Sequence, residues 1–374
     1  MACANGGRGS TRGLPPERSE LWSQRHRSHL FGKLAPACRG TYSPLRKEKV
    51  HDEHRRTQDR SAIMRFGVHT GPQNCTLDDL RRVWHLADRS GFHWISIWDH
   101  FYPAMIIPGD AQGSCFEAVS IMTALAAETT RARIGSLVYC MAYRHPAVLA
   151  NAMVTVDHVS GGRMELGLGA GWSQIEFDAY GIPFLPIKDR LDQLEEGLQI
   201  IRGLFTQETT TFHGKHYRVT DARCEPKPLQ TPPRLWLGGM GEKRLLRMAA
   251  QYADGWNVPF IGPEVFARKN LVLTQWCEKQ RRDPRAVIRT VNVGLAIGRT
   301  ESDAQRKRAG LQEQFGTALS FLEPGMLIGT PQEVIDRIGT YAGAGAEWII
   351  LALRAPFDMD GLQVFIDTVL PAFR

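Results

Sequence analysis

Between residues 65 and 353 the chain alternates short apolar runs with amphipathic stretches, eight times over. This alternation constrains the fold more than any other feature of the sequence. The runs are RFGVH (65–69), FHWISIW (92–98), ARIGSLVY (132–139), RMELGLGAG (163–171), 235–238, 255–258, 287–297 and the terminal WIILAL. Most are apolar nearly throughout, as strands buried on both faces must be. Helix signals separate them. Thr76 with Asp79 three residues on predicts a capping box. Pro146 near the start and Gly161 past the end bracket another helix, and Pro263 opens a third. Leu191, Leu194, Leu198, Ile201 and Phe205 mark one helical face. TTTFHGKHYRV reads as an inserted β-hairpin. Eight strand–helix units predict an α/β fold, a (β/α)8 TIM barrel with insertions. A doubly wound open sheet is the alternative. Its GxGxxG fingerprint would follow the first strand, where FGVHTGPQN stands instead.

Charge bounds the partners. The chain carries a net +7. Residues 1–63 hold 13 Lys and Arg against 6 Asp and Glu, which leaves 33 of each in the remainder. The excess therefore lies in an Arg-, Ser-, Gly- and Pro-rich leader with no sustained apolar period, expected not to fold on its own. It is too acidic for an organellar transit peptide and lacks the apolar core of a secretory signal. The expected division is a leader at 1–63, read as translated upstream sequence with Met64 the true start, and one barrel domain at 64–374. No nucleic-acid or membrane partner is expected. Seven scattered cysteines without a CxxC pair argue against a disulfide framework or a zinc site, and favour a reducing, cytoplasmic setting.

In such a barrel the active site lies at the C-terminal ends of the strands. Those ends read His69, Asp99–His100, Ser136 to Tyr139, Gly169 to Trp172, Gly238 to Gly241, Trp256–Asn257 and Arg354. They are polar, aromatic or glycine-rich where the strand interiors are apolar. His100 can hold or remove a proton near neutral pH, with Asp99 to orient it; a capping Asp and a histidine satisfied in a loop weigh about equally. The turn Gly169, Ala170, Gly171 lets backbone approach a ligand, and Trp172 offers a stacking face; a tight turn explains the same glycines. Gly238, Gly239, Met240 and Gly241 precede a helix start with Lys243 and Arg244 nearby, a combination that favours an anion. The run lacks GxxxxGK[ST]. It also follows the fifth strand, whereas barrel phosphate sites favour the last two. There is no HExxH and no GxSxG with partners. Chemistry with neither metal nor protein nucleophile points to an organic cofactor.

The order SIWDHF, ARIGSLVYCMAYRHPAVLANAMVTVDHVSGGRMELGLGAGW, EFDAYGIPF, RLDQLEEGLQIIRGLF, LWLGGMGEKRLLRMAAQYADGWN and GTPQEVIDRI resembles the bacterial luciferase-like superfamily, most closely its F420-dependent branch. The resemblance runs from Met64 to the C-terminus. It implies a tricyclic flavin-like ring in the strand-end cavity. It further implies a non-prolyl cis peptide on the third strand, at Ser136–Leu137, in a bulge through Val138 that backs the ring. Asp99 would lie by the pyrimidine side, His100 by the reactive centre, and Gly169–Trp172 along the border. Gly238–Gly241 with Lys243 would meet the cofactor phosphate, against the strand-position rule. Sugar-phosphate dehydrogenases of this branch carry a carboxylate where this chain has Trp172, so glucose 6-phosphate is not expected as substrate.

Three functions compete. The first is hydride transfer with coenzyme F420, His100 handling a proton. The second is an FMN-dependent monooxygenase acting on an aldehyde, an alkanesulfonate or a similar molecule. The third is a cofactor-free barrel with a blocked cavity. A small-molecule substrate follows from the first two, and a homodimer from the resemblance. The stretch 102–115 and the connection after Trp172 are expected to wall the substrate; their apolar and aromatic residues suit an apolar or ring molecule.

Overall fold

A computed structural model describes residues 64–103 and 112–373. The leader, and 104–111 of the expected substrate wall, lie outside the described residues. The strands, in chain order, are β1 (Arg65–Thr70), β2 (Trp94–Ile97), β3 (Arg133–Ser136), β4 (Tyr139–Cys140) and β5 (Met164–Gly169). They continue as β6 (Thr210–His213), β7 (Arg218–Ala222), β8 (Leu235–Gly238), β9 (Gly255–Pro259), β10 (Ile288–Ile297), β11 (Met326–Gly329) and β12 (Trp348–Leu353). β10, β12, β1, β2, β3, β5, β8 and β9 pair side by side in parallel, and β9 returns to β10. The sheet is a closed eight-stranded barrel. β6 and β7 form the antiparallel hairpin that TTTFHGKHYRV predicts.

Local chemistry sets the helices as expected. Helix α1 (Leu77–Ser90) carries the Thr76–Asp79 capping box and ends on Gly91 in the left-handed region. After α2 (Ala118–Glu128), helix α3 (Pro146–Val159) takes Pro146 in its first turn. Beyond the short α4 (Gln174–Ala179), helix α5 (Ile187–Thr206) buries Leu194, Leu198, Ile201 and Phe205. Helices α6 (Leu245–Tyr252), α7 (Pro263–Lys279) and α8 (Glu301–Phe315) follow.

Two expectations need correction. The last part of β10 runs on beyond β9 and β12 to pair with β11, a strand not foreseen. Its MLIG is short and abuts a helix-opening TP, so it reads as a helix approach. ARIGSLVY is also not one strand. β3 stops at Ser136, β4 resumes at Tyr139, and the non-prolyl cis bond between them is Leu137–Val138, not Ser136–Leu137. Leu137 N still donates to Ile97 O at 3.0 Å. The ladder with β2 therefore holds through Leu137, and the reversal falls one bond later.

The barrel interior is closed at its N-terminal end by Trp94, Trp236 and Trp348, whose ring centroids lie 5.3, 5.4 and 6.2 Å apart pairwise. Glycines opposite make room. A Cβ on Gly135 would lie 2.5 Å from the Trp94 ring, and one on Gly255 would lie 2.2 Å from the Trp236 ring. Large and small residues thus alternate within one layer, as a filled barrel requires. Trp236 Nε1 donates to buried Glu165 Oε2 at 2.6 Å, and Arg133 pairs with the same carboxylate. Leu137 and Ile350 complete this inner cluster. Among the described residues no helix is long and apolar enough to cross a membrane.

Candidate active site

Above the tryptophan floor, at the C-terminal ends of the strands, lies a cavity of about 360 Å³. His69, Asp99, His100, Leu137, Val138, Trp172 and Arg354 are among its walls. A shelf of about 520 Å³ continues from it, with Gly169, Ala170, Met240, Gly241 and Lys243 on its border. Val138, Gly171, Trp172, Gly238 and Gly239 line both. Every residue that the sequence singles out for cofactor or catalysis therefore meets this space, except Ser136. Ser136 is fully buried, and its hydroxyl donates to Gly167 O at 2.8 Å.

The bulge explains the strand-end glycines. Val138 fills the gap between β5 and β8. A Cβ on Gly169 would lie 2.5 Å from Val138 Cγ2, and one on Gly238 would lie 2.8 Å from Cγ1. Leu137 and Val138 thereby present an apolar wall to the cavity, with Leu137 packed into the tryptophan cluster.

His100 is oriented by a residue the sequence reading passed over. Its Nδ1 lies 2.7 Å from Oε2 of Glu176, on α4. Glu176 is 1% exposed and accepts three further bonds, from Phe101 N, Tyr102 N and the Tyr143 hydroxyl. Burial pushes this carboxyl up, but the bonds from His100, Tyr102 and Tyr143 and the charge of His100 outweigh it and hold it at about 2. An ionised carboxylate only accepts, so Nδ1 carries the proton, and Nε2 is left as the nitrogen for proton exchange. The Trp172 indole packs against the His100 ring, centroids 5.3 Å apart.

Asp99 does not orient His100. Arg144, from the β4–α3 connection, takes both its oxygens, at 2.7 and 3.0 Å, and Cys140 N donates to it at 3.0 Å. Arg144 also reaches Glu117. Burial opposes the charge on Arg144, yet Asp99 and Glu117 outweigh it and raise the guanidinium above its ordinary range. Burial raises the Asp99 carboxyl too, but the bidentate geometry marks a formed ion pair. Asp99 thus locks the end of β2 to the β4–α3 connection and faces the cavity as a neutralised group.

The shelf is backbone-lined. Gly239 stands at φ 133°, its N–H donates to Asn257 O at 3.0 Å, and its carbonyl accepts from Trp256 Nε1 at 2.8 Å. Helix α6 begins only at Leu245. Arg244, expected beside an anion, borders the shelf too, but its guanidinium is paired with Asp192 at 2.7 Å and Glu195 at 3.3 Å. Lys243 stays exposed on the rim. An apolar wall, a stacking indole and a glycine shelf with an adjacent ammonium fit a planar ring carrying a phosphate arm.

Two strand-end residues outside the singled-out set also face the cavity. His69 donates to or accepts from Ser96 Oγ at 2.8 Å; burial, then the charges of Arg354 and His100, lower it to about 3. Burial lowers Arg354 to about 10, which leaves it charged at neutral pH. Elsewhere, Asp189, Asp192 and His216 could gather a cation. The Lys215 ammonium already sits against both carboxylates.

The chain matches known proteins over most of its length. A dimethylsulfone monooxygenase of Pseudomonas putida, FMNH2-dependent by description, is 32% identical over 181 residues, 48% of each chain. The chain thus spans about half the length of that relative. An F420-dependent glucose-6-phosphate dehydrogenase of Segniliparus rotundus is 26% identical over 77% of this chain and 91% of its own. The solved F420-dependent tetrahydromethanopterin reductase of Methanopyrus kandleri superposes with a TM-score of 0.71 at 19% identity, covering 84% of this chain and 100% of that one. A monooxygenase of Streptomyces bottropensis gives 0.71 at 21%, covering 83% and 100%; both show the barrel. The profile of the luciferase-like monooxygenases matches residues 61–347, and the chain belongs to that family.

Proposed function

We propose that this chain is a flavin- or deazaflavin-dependent oxidoreductase, with coenzyme F420 as its cofactor and hydride transfer to or from a small organic substrate as its reaction. The observation that carries the reading is the meeting of the Leu137–Val138 wall, the glycine shelf and His100 on one continuous space. The ring would lie against the wall with its reactive edge toward His100, and its phosphate on Gly238–Gly241 with Lys243. When bound, the cofactor supplies the hydride chemistry. The chain supplies position, exclusion of water, and proton exchange at His100 Nε2, with Glu176 fixing the tautomer. The enzyme works on a small molecule, in the cytoplasm and as a homodimer. Titration of the purified protein with F420 and with FMN tests the reading. F420 is expected to bind tightly; tight FMN binding with no affinity for F420 overturns it.

The second reading is an FMN-dependent monooxygenase. The glycine turns serve it equally: they can hold the phosphate of FMN or of F420, and Trp172 argues only against a sugar phosphate, since the resemblance places a carboxylate there in the dehydrogenases that act on one. The cofactor-free barrel predicts a filled cavity, and the open cavity and shelf speak against it.

A further inference from the structure

Asn292, on β10, is 3% exposed and lines the cavity. It is held at two points. Its backbone carbonyl accepts from Phe260 N at 2.8 Å. Its side-chain Oδ1 accepts from Asn257 Nδ2 at 2.9 Å. Asn257 Nδ2 also donates to Thr290 Oγ1 at 2.9 Å, and Thr290 Oγ1 donates to Trp256 O at 3.1 Å. A backbone carbonyl only accepts, so the relay runs one way. The Trp256 carbonyl takes the Thr290 proton, the Thr290 oxygen takes one from Asn257, and the second Asn257 proton goes to Asn292 Oδ1. The relay ends on the Asn292 amino group. Nδ2 donates to nothing among the described residues, yet it is not a sealed, unsatisfied atom as Trp94 Nε1 is. It is a donor oriented by its neighbours and open to the cavity.

The barrel sets where this donor stands. Three strands separate β10 from β3 in either direction, β12, β1 and β2 one way and β9, β8 and β5 the other. Asn292 is therefore across the cavity from the Leu137–Val138 wall, which follows β3. Its register partner on β12 is Ile350, which shares the inner apolar cluster with Leu137, so donor and wall lie at similar depth. A planar ring laid on the wall would turn its other face toward Asn292, and a substrate would lie in the space between.

We propose that Asn292 recognises the substrate: its amino group donates to the oxygen of a small neutral carbonyl compound held between the ring and β10. The inference rests on the redox reading above. A carboxamide supplies hydrogen bonds and no charge, so it suits a neutral oxygen; an anion buried there would call for a cation as well. Arg354, on the same cavity, already has a partner. Hydride transfer makes the oxygen a carbonyl, whose carbon can accept the hydride. A ligand without an acceptor would leave the amino group unpaired in a desolvated site, and that penalty is the source of discrimination.

Cyclohexanone and methylenecyclohexane serve as probes, since they differ only in an oxygen for a methylene. Their binding to the full chain is followed by NMR, alone and with whichever oxidised cofactor the protein takes. The Asn292 side-chain amide signal, identified by its loss in Asn292→Asp, is expected to shift with the ketone and not with the alkene. Asn292→Leu is expected to weaken the ketone by about fivefold relative to the alkene. Asn292→Asp keeps the bond from Asn257 but presents only acceptors; it should do the same, and it serves if the leucine variant does not fold. A ketone that fails to bind or leaves the amide signal in place overturns the proposal, as do variants that weaken both probes equally. An Asn292-dependent ketone preference in a protein that takes up neither F420 nor FMN would uphold the carbonyl site and sink the redox reading. Tight F420 binding without that preference would do the reverse.

Discussion

His100 and Glu176 stand 76 residues apart in the chain, and their side chains meet at 2.7 Å across the mouth of the barrel. Glu176 also gathers Phe101 N, Tyr102 N and the Tyr143 hydroxyl, so one carboxylate fixes both the ring and the backbone that follows it. The relationship separates two roles. Under the proposed function His100 would exchange the proton, and Glu176 would decide which nitrogen does so.

His100→Ala is expected to lower turnover by about a hundredfold or more, the usual worth of a general acid or base, with cofactor affinity nearly unchanged. Glu176→Gln keeps the shape but can donate where it must accept. It should lower turnover with little change in substrate KM. Steady-state kinetics and a cofactor titration on both variants check this; untouched turnover in His100→Ala makes the histidine structural only.

Acid stability follows from the same carboxylate. Glu176 is held at about 2 against an ordinary 4.5. A depressed carboxyl contributes its stability above the unfolded value and loses it as pH falls through the folded one. The gap in urea midpoint between wild type and Glu176→Gln should therefore narrow as pH falls from about 5 toward about 2. A gap constant across that range contradicts the assignment.

Breaking the Asp99–Arg144 pair should be costly, because Asp99 is fully buried at its side chain. Arg144→Met is expected to destabilise the fold by about 3–5 kcal/mol, since the remaining charge is left uncompensated. Chemical denaturation measures it. A change below about 1 kcal/mol would mean the pair contributes no more than an exposed one.

Gly239→Asp should abolish cofactor binding. It places a carboxylate on the anion shelf and a side chain at φ 133°. Fluorescence titration with F420 or FMN reads this directly, and unchanged affinity removes the loop from the site. Gly161→Ala is the matching control: it too is strained, at φ 66°, but its Cβ meets nothing within 4 Å and it lies outside both cavities.

Much of this architecture was legible because it rests on local or periodic signals. The capping box at Thr76, the Pro146 helix and the hairpin all follow from neighbours within a few residues. Strand-end bookkeeping found His100 and the two glycine turns, since β/α alternation alone puts them on one rim. The placement of the glycine loop after the fifth barrel strand also holds. What escaped the reading depends on distance across the fold. Glu176 sits inside EFDAYGIPF like any helix acid, and only closure of the barrel brings it to His100. Asp99 reads as the natural partner of its neighbour, yet Arg144, 45 residues on, reaches it with two donors. Gly135 and Gly255 look like weak strand residues until the indoles opposite them are seen. The one-bond shift of the cis peptide was invisible because SLVY gives no sign of where the β2 ladder ends.

The three tryptophans at the base make the barrel a blind well. Under the proposed function, cofactor and substrate would therefore share the traffic of the mouth above that tryptophan floor. A ring laid along the Leu137–Val138 wall would narrow that mouth on one side. A cofactor seated deepest in such a well would favour loading ahead of the substrate and leaving after the product.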